Sequence, residues 1–303
     1  MTDLRKISIK RSLIAAVTSF LITPILVYGV LLLMRPPRTD LSQQQLFQGI
    51  VYQRVARSKP RPIMLHVATI DLTAPGIRLL VTPGKATISG MDSKAKTTGD
   101  FLKEFQLQLA VNANFFLPFH ERGPWDYYPH KGDPVNVLGL AMSNGKLYSG
   151  AAKIWSALCI SANNQVQIRP VTCPRGTTGA VAGNRILIDR GLPAPLDPNV
   201  KDRPLPCTAV ATNEQGNKLW IVAVDGRQPF YSEGVTLGEL REILLQLGVY
   251  TALNLDGGGS TTLVAAINSK PTVLNSPIHT RIPMRQRPVA NHLGIYALPV
   301  KGS

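Results

Sequence analysis

Three stretches of the 303-residue chain run from a short apolar segment into residues that can do chemistry. In the first, Thr251-Ala252-Leu253 leads into Asn254-Leu255-Asp256-Gly257-Gly258-Gly259-Ser260, and Leu263-Val264-Ala265-Ala266 leads out. A glycine triplet between two β-forming runs predicts a strand, a tight turn and a second strand. Three glycines are conformationally costly, and they serve where the backbone takes positive φ or a ligand must come close. Their amides, Gly257 to Gly259, can form an anion-binding nest. Asp256 beside that nest suits a nucleophile or base acting while negative charge develops on a neighbouring oxygen. A hairpin turn in which Asp256 caps its own backbone would read the same way locally.

The second stretch is Leu219-Trp220-Ile221-Val222-Ala223-Val224-Asp225-Gly226-Arg227, which ends in a carboxylate and a guanidinium. In the third, Leu109-Ala110-Val111-Asn112-Ala113-Asn114-Phe115-Phe116 closes on two amides and two aromatic rings. The elements between the first two stretches determine how they meet. Thr236-Leu237-Gly238-Glu239 is a capping box, after which Leu240, Ile243, Leu244 and Leu247 fall on one helical face until Gly248 ends it. A strand, helix, strand unit makes the flanking strands parallel, so Asp225 and Asp256 are expected on one sheet edge, where open α/β sheets bind ligands.

Together, Ala-Val-Asn-x-Asn-Phe-Phe, Val-Asp-Gly-Arg-Gln and Asn-Leu-Asp-Gly-Gly-Gly-Ser-Thr resemble the phosphodiester glycosidase family, the family of the uncovering-enzyme glycosidases, over roughly residues 62 to 298. The resemblance implies a hydrolase that cleaves the bond between a sugar and a phosphodiester. It makes Asp256, Asp225 and Arg227 catalytic candidates. Asn112, Asn114, Asn254, Gly257, Gly258, Gly259 and Ser260 become candidates for substrate binding. Arg287 and Asn291 join them through Arg287-Pro288-Val289-Ala290-Asn291, although that run also fits a solvated approach to an edge strand. Where the family commonly places an Arg before Thr208, this chain has Cys207, which removes one basic group from the phosphate side.

Other chemistries find no support. There is no Gly-Lys-Ser/Thr for a nucleoside triphosphate, no Gly-x-Ser-x-Gly elbow, and neither a His-Glu-x-x-His nor a Cys pair for zinc, so no metal ligands are assigned and no cofactor is named. In a sugar-1-phosphodiester the leaving oxygen belongs to a phosphomonoester and departs with little need of a proton. The demand moves to holding phosphate charge, by Arg227 and the nest, and to a carboxylate that meets the oxocarbenium-like sugar or activates water. A non-catalytic module binding envelope glycan or wall polymer is the alternative.

The composition, 44% hydrophobic, supports a large core in one domain or two small ones, and the formal charge of +15 draws in anions without naming them. No nucleic-acid motif accompanies that charge, so no nucleic-acid partner is expected. Residues 1–11 carry Arg5, Lys6, Lys10 and Arg11. Ser12 to Met34 is uncharged and long enough to cross a hydrocarbon core of about 30 Å. Only Arg35 and Arg38 follow closely, so the bias predicts a cytoplasmic tail, a single-pass anchor over 12–34, and a globular domain on the periplasmic or extracytoplasmic side. The expected fold is α+β, a mixed sheet with flanking helices, in a domain over 62–298 behind a linker of 35–61 that holds a short helix near Leu41 to Val51.

Ile63 to Leu72 and Ile77 to Val81 read as a hairpin around Thr73-Ala74-Pro75-Gly76. Phe101, Leu102 and Phe105 mark a short helix, and Leu293 to Leu298 a final strand. Residues 117–136 form an aromatic loop that suits a lid over a sugar, with Glu121 and His130 as candidates by position alone. In an oxidising compartment Cys159 and Cys173 are expected to bridge neighbouring strands, with Cα atoms within about 7 Å, leaving Cys207 as a small buried residue.

Overall fold

The computed structural model describes residues 20, 22–84, 90–152, 155–196 and 202–300. Most of these residues lie in strands. An eight-stranded sheet has the order Leu41–Phe47, Ile50–Arg57, Ile63–Asp71, Lys218–Val224, Cys207–Thr212, Thr251–Asn254, Arg185–Asp189, Leu192–Pro193. A five-stranded sheet runs Lys270–Val273, Leu263–Ile267, Leu109–Asn112, His292–Tyr296, Arg78–Val81, and a second one holds Ser156–Ser161 beside Thr177–Gly183.

Strand alternation sends Ala68, Ile70, Leu219 and Ile221 into a core shared with Val111, Leu263 and Leu293 of the first five-stranded sheet and Leu158 and Val181 of the second. The opposite face of the eight-stranded sheet, with Leu65, Val67 and Val222, is covered by helix Leu237–Gln246 through Leu240, Ile243 and Leu244. Its capping box is formed, and Gly248 follows the helix with φ of +69°. Helix Thr98–Glu104 packs Phe101 and Leu102 against the first five-stranded sheet. The expected mixed-sheet architecture with flanking helices is present, dominated by strand.

The crossover expectation holds with one insertion. Thr251–Asn254 and Lys218–Val224 are parallel, but Cys207–Thr212 lies between them, antiparallel to both. Other expectations are corrected. Residues near Leu41 to Val51 are not helical: Leu41–Phe47 and Ile50–Arg57 pair with one another, and the latter with Ile63–Asp71, so the sheet begins inside the expected linker. Ile63–Asp71 and Arg78–Val81 are not a hairpin either, because the turn between them passes the chain from one sheet to another, where Arg78–Val81 pairs with His292–Tyr296. That last strand is interior, so the run before it is not a solvated edge.

Of the expected tail and anchor, residues 1–19 and 21 lie outside the described residues. Residues 22–33 are helical, with Ile25, Leu26 and Leu33 exposed. No helix among the described residues is long and apolar enough to cross a membrane. Cys159 and Cys173 are bridged at a Cα separation of 5.6 Å, though Cys173 follows strand Val166–Pro170 rather than lying in it, and Cys207 is free and buried.

Candidate active site

The C-terminal ends of the two parallel strands open into a cleft of about 440 Å³. Asp256 leaves strand Thr251–Asn254 at this edge and lines the cleft with Asn254, Gly257 and Gly258. Arg227 arrives from the end of Lys218–Val224, with φ of +59°, and Arg287 from the run before His292–Tyr296. Another wall comes from Phe116 and from the expected aromatic loop, which contributes Phe119 and Glu121 and is not bare loop, since it holds the short paired strands His120–Glu121 and Tyr127–Tyr128.

The glycines leave room for the two arginines and for a neighbouring carbonyl to lie against the turn. A Cβ on Gly258 would stand 2.9 Å from Arg227 Nη2, and one on Gly259 would overlap the Arg287 guanidinium. One on Gly257 would stand 2.7 Å from the carbonyl oxygen of Pro206. The loop is therefore not the open amide nest expected. The Gly258 amide donates to Pro206 O at 2.8 Å, and the amides of Ser260 and Thr261 close a 3₁₀ turn onto Gly257 O and Gly258 O. Positive charge reaches the site through guanidinium groups that lie against backbone stripped of Cβ atoms.

Arg287 organises the cleft. Its Nη1 donates to Ser260 Oγ at 3.0 Å, its Nη2 to Glu121 Oε2, and its Nε reaches His279 Nδ1 at 3.2 Å, while the guanidinium stands over the Phe119 ring, 4.6 Å from its centroid. Burial pushes the Asp256 carboxyl up to about 6, against the lowering effect of Arg287, the Ser260 hydroxyl, the Gly257 amide and Arg227. For Glu121 the balance falls the other way. Burial opposes ionisation there, but the His279 hydrogen bond, the Arg287 charge and the Thr280 amide together hold the carboxyl down to about 2. The cleft thus presents two carboxylates whose environments drive their proton affinities apart, the arrangement by which acid and base roles are assigned.

Asp225 does not line this cleft. It is 1% exposed, with Oδ1 accepting from Asn275 Nδ2 at 2.9 Å and Ser276 N at 2.7 Å, and Oδ2 bonded to His66 Nε2 at 2.9 Å. The expectation that Asp225 and Asp256 share a reacting centre is corrected. Strand ends on one edge fix where the backbone stops, whereas neighbours from other sheets decide where each side chain turns.

The expected sugar ligands Asn112 and Asn114 are likewise turned inward. Asn112 Nδ2 donates to Asp256 O at 2.6 Å and its Oδ1 accepts from Thr262 N at 3.0 Å, so it clasps both ends of the glycine loop. Asn114 exchanges hydrogen bonds with Asn291 at 2.8 and 3.0 Å and supports Leu138, Leu140 and Ala182. Asn254 is on the lining, donating to Asn184 Oδ1 at 2.8 Å, while Gly259, Ser260 and Asn291 stand behind it. His130 pairs with Asp133 and does not line the cleft.

Sequence reasoning missed Phe119, His279 and the cleft-lining Arg203, and found Glu121 only by its place in an aromatic loop. None of them stands in a periodic or motif context. Burial pushes the Cys207 thiol on the cleft wall up to about 12, so it stays protonated and is no thiolate nucleophile. Among the described residues no group of three or more His, Cys, Asp or Glu is placed to hold a metal ion.

Solved structures share this fold. The catalytic domain of zebrafish N-acetylglucosamine-1-phosphodiester alpha-N-acetylglucosaminidase, auto-inhibited by its pro-peptide, matches with TM-score 0.56 and 20% identity over 85% of each chain. A hypothetical protein from Synechocystis matches with TM-score 0.55 and 18% identity over 82% of this chain, which spans 62% of that protein's length. An exported protein of Burkholderia pseudomallei K96243 matches with TM-score 0.56 and 14% identity over 78% of this chain and 74% of that one. No curated protein matches the sequence. The phosphodiester glycosidase family model matches residues 105–296, which take in the aromatic loop, both parallel strands, the glycine turn and Arg287. By that match the chain belongs to the phosphodiester glycosidase family.

Proposed function

We propose that this chain hydrolyses the glycosidic bond of a sugar-1-phosphodiester, with Asp256 as the reacting carboxylate and Arg227 and Arg287 holding the phosphate charge. The observation that carries this reading is the buried Asp256 carboxyl on the cleft wall beside two guanidinium groups. A carboxyl titrating near 6 is ionised at neutral pH yet basic enough to accept a proton from water. Glu121 stays negative, fixes Arg287 in place, and adds negative potential where the sugar acquires oxocarbenium character. The exposed ring of Phe119, which carries Arg287 against one side, offers an apolar surface to the sugar.

Because no residue need protonate the phosphomonoester leaving group strongly, one titrating carboxylate and two arginines suffice. The family's substrate class and the zebrafish relative's name make an N-acetylglucosamine-1-phosphodiester the first substrate to try. Release of reducing sugar supports hydrolysis, whereas saturable binding without release would leave the glycan-binding module. We place the domain outside the cytoplasm, anchored through 12–34, on the charge asymmetry of the N-terminus and the Cys159–Cys173 bridge, since bridges persist in oxidising compartments. Protease added to intact spheroplasts should remove the domain, and protection of the domain would overturn this placement.

A further inference from the structure

The cleft-lining Arg227 belongs to a loop that the chain holds in disfavoured geometry. Arg227 and Phe230 both lie in the left-handed region, with φ of +59° and +63°, and neither is glycine. Such a loop keeps its shape only where its surroundings over-determine it. One side is held from within. The Gln228 side chain donates to Ser276 O at 2.9 Å and accepts from Ser276 Oγ at 2.9 Å, and Ser276 N donates to Asp225. The other side is held by residues 35–38, which precede the first strand and lie more than 190 positions away in sequence.

Those contacts converge on Gln228 and Tyr231. Arg35 Nη1 donates to Gln228 Oε1 at 3.4 Å, and its guanidinium stacks 4.4 Å from the Tyr231 ring centroid. The Tyr231 hydroxyl donates to Pro36 O at 3.0 Å. Arg38 Nε donates to Tyr231 O at 3.2 Å, while its Nη2 anchors to Arg57 O at the end of strand Ile50–Arg57 and to Ser58 Oγ just beyond it. Tyr231 is 6% exposed, so this is a seated contact and not a surface brush. From Gln228 the bonding continues through Ser276 and Asp225 to Asn275, whose Nδ2 also donates to Thr261 O, at the end of the glycine turn.

We infer that residues 35–38 are a strut that positions Arg227, so that the segment joining the N-terminal helix to the domain sets the geometry of the phosphate side of the cleft. The inference rests on the proposed role of Arg227 in holding phosphate charge. Arg35, Arg38 and Tyr231 are positioning residues: none lines the cleft.

The test uses the full chain, with Arg35→Ala/Arg38→Ala as the main variant, Tyr231→Phe as a milder one, and Arg57→Ala as the control. The Arg57 side chain bonds Gln246 Oε1 at the far end of the covering helix and nothing in the Arg227 loop. Amide exchange over residues 226–234 should quicken in the first two variants and stay unchanged in the control, with thermal midpoints near that of the parent. The double variant should lower kcat/KM on a sugar-1-phosphodiester by about 3- to 30-fold, mainly through KM, and this loss should vanish when Arg227 is already Ala. Unchanged exchange, or an equal loss in the Arg227→Ala background, overturns the strut. Quickened exchange in a protein that never releases sugar would uphold the strut and overturn the hydrolase reading.

Discussion

Nη2 of Arg227 occupies the space beside Gly258 so closely that a Cβ there would stand 2.9 Å from it. Gly258 also has φ of +61°, a conformation that costs an L-residue about 1–2 kcal/mol. Gly258→Ala should therefore act twice, through modest destabilisation and through displacement of the guanidinium. kcat/KM should fall by about 10-fold or more, a steeper loss than the drop in thermal midpoint explains. Wild-type kinetics in a merely less stable variant would show that the glycine serves the turn alone.

The two strand-end aspartates should separate in their effects. Asp256→Asn is expected to abolish turnover by orders of magnitude with the fold intact, as it removes the reacting carboxylate. Asp225→Asn instead breaks a buried set of bonds to His66, Asn275 and Ser276, and should cost about 3 kcal/mol or more of stability. Denaturant melts alongside kcat distinguish them. Loss of turnover in Asp225→Asn with unchanged stability would return that residue to the reaction.

Arg227→Ala and Arg287→Ala should each reduce kcat/KM by roughly 10²- to 10³-fold, the range for a lost charge-stabilising donor. Arg287→Ala additionally leaves Glu121 without its ion-pair partner, so its midpoint should drop further than that of Arg227→Ala. Equal midpoints would count against Arg287 as the organiser of the cleft.

Proton linkage yields opposite signs for the two cleft carboxyls. Glu121 is held below its ordinary value, so its contribution to stability is complete above about 4.5 and is lost as pH falls toward 2. Asp256 is raised, so its contribution is complete below 3.8 and is lost as pH rises through about 6. Asp256→Asn should accordingly be more stable than wild type at pH 7, with the advantage shrinking toward pH 4, while wild-type activity falls on the acid side near pH 6. Thermal melts from pH 4 to 7 check the first, and a kcat/KM profile the second.

Cys207 should react slowly with iodoacetamide at pH 8, since its thiol is pushed up to about 12 and buried, and Cys207→Ala should keep most of the activity. Rapid alkylation with loss of turnover would make it a participant.

The sequence by itself determined those features whose causes are local. The capping box at Thr236 and Glu239 and the 3.6-residue spacing of Leu240, Ile243 and Leu244 specify a helix whatever surrounds it, and the helix in turn makes its flanking strands parallel. The glycine triplet and Asp256 were legible for the same reason, because few other residues tolerate that turn.

Tertiary structure alone decided which of two similar aspartates lines the cleft. Asp225 turns inward because His66, Asn275 and Ser276 reach it from 159, 50 and 51 positions away, distances at which no pattern in the chain signals contact. Ile50–Arg57 became a strand through pairing with Ile63–Asp71, an edge supplied by the rest of the fold, and Leu41–Phe47 followed by pairing with Ile50–Arg57. Glu121 acquired its role only when Arg287, 166 positions on, was brought against it, since a carboxylate's charge state depends on the dielectric and partners that folding assembles around it.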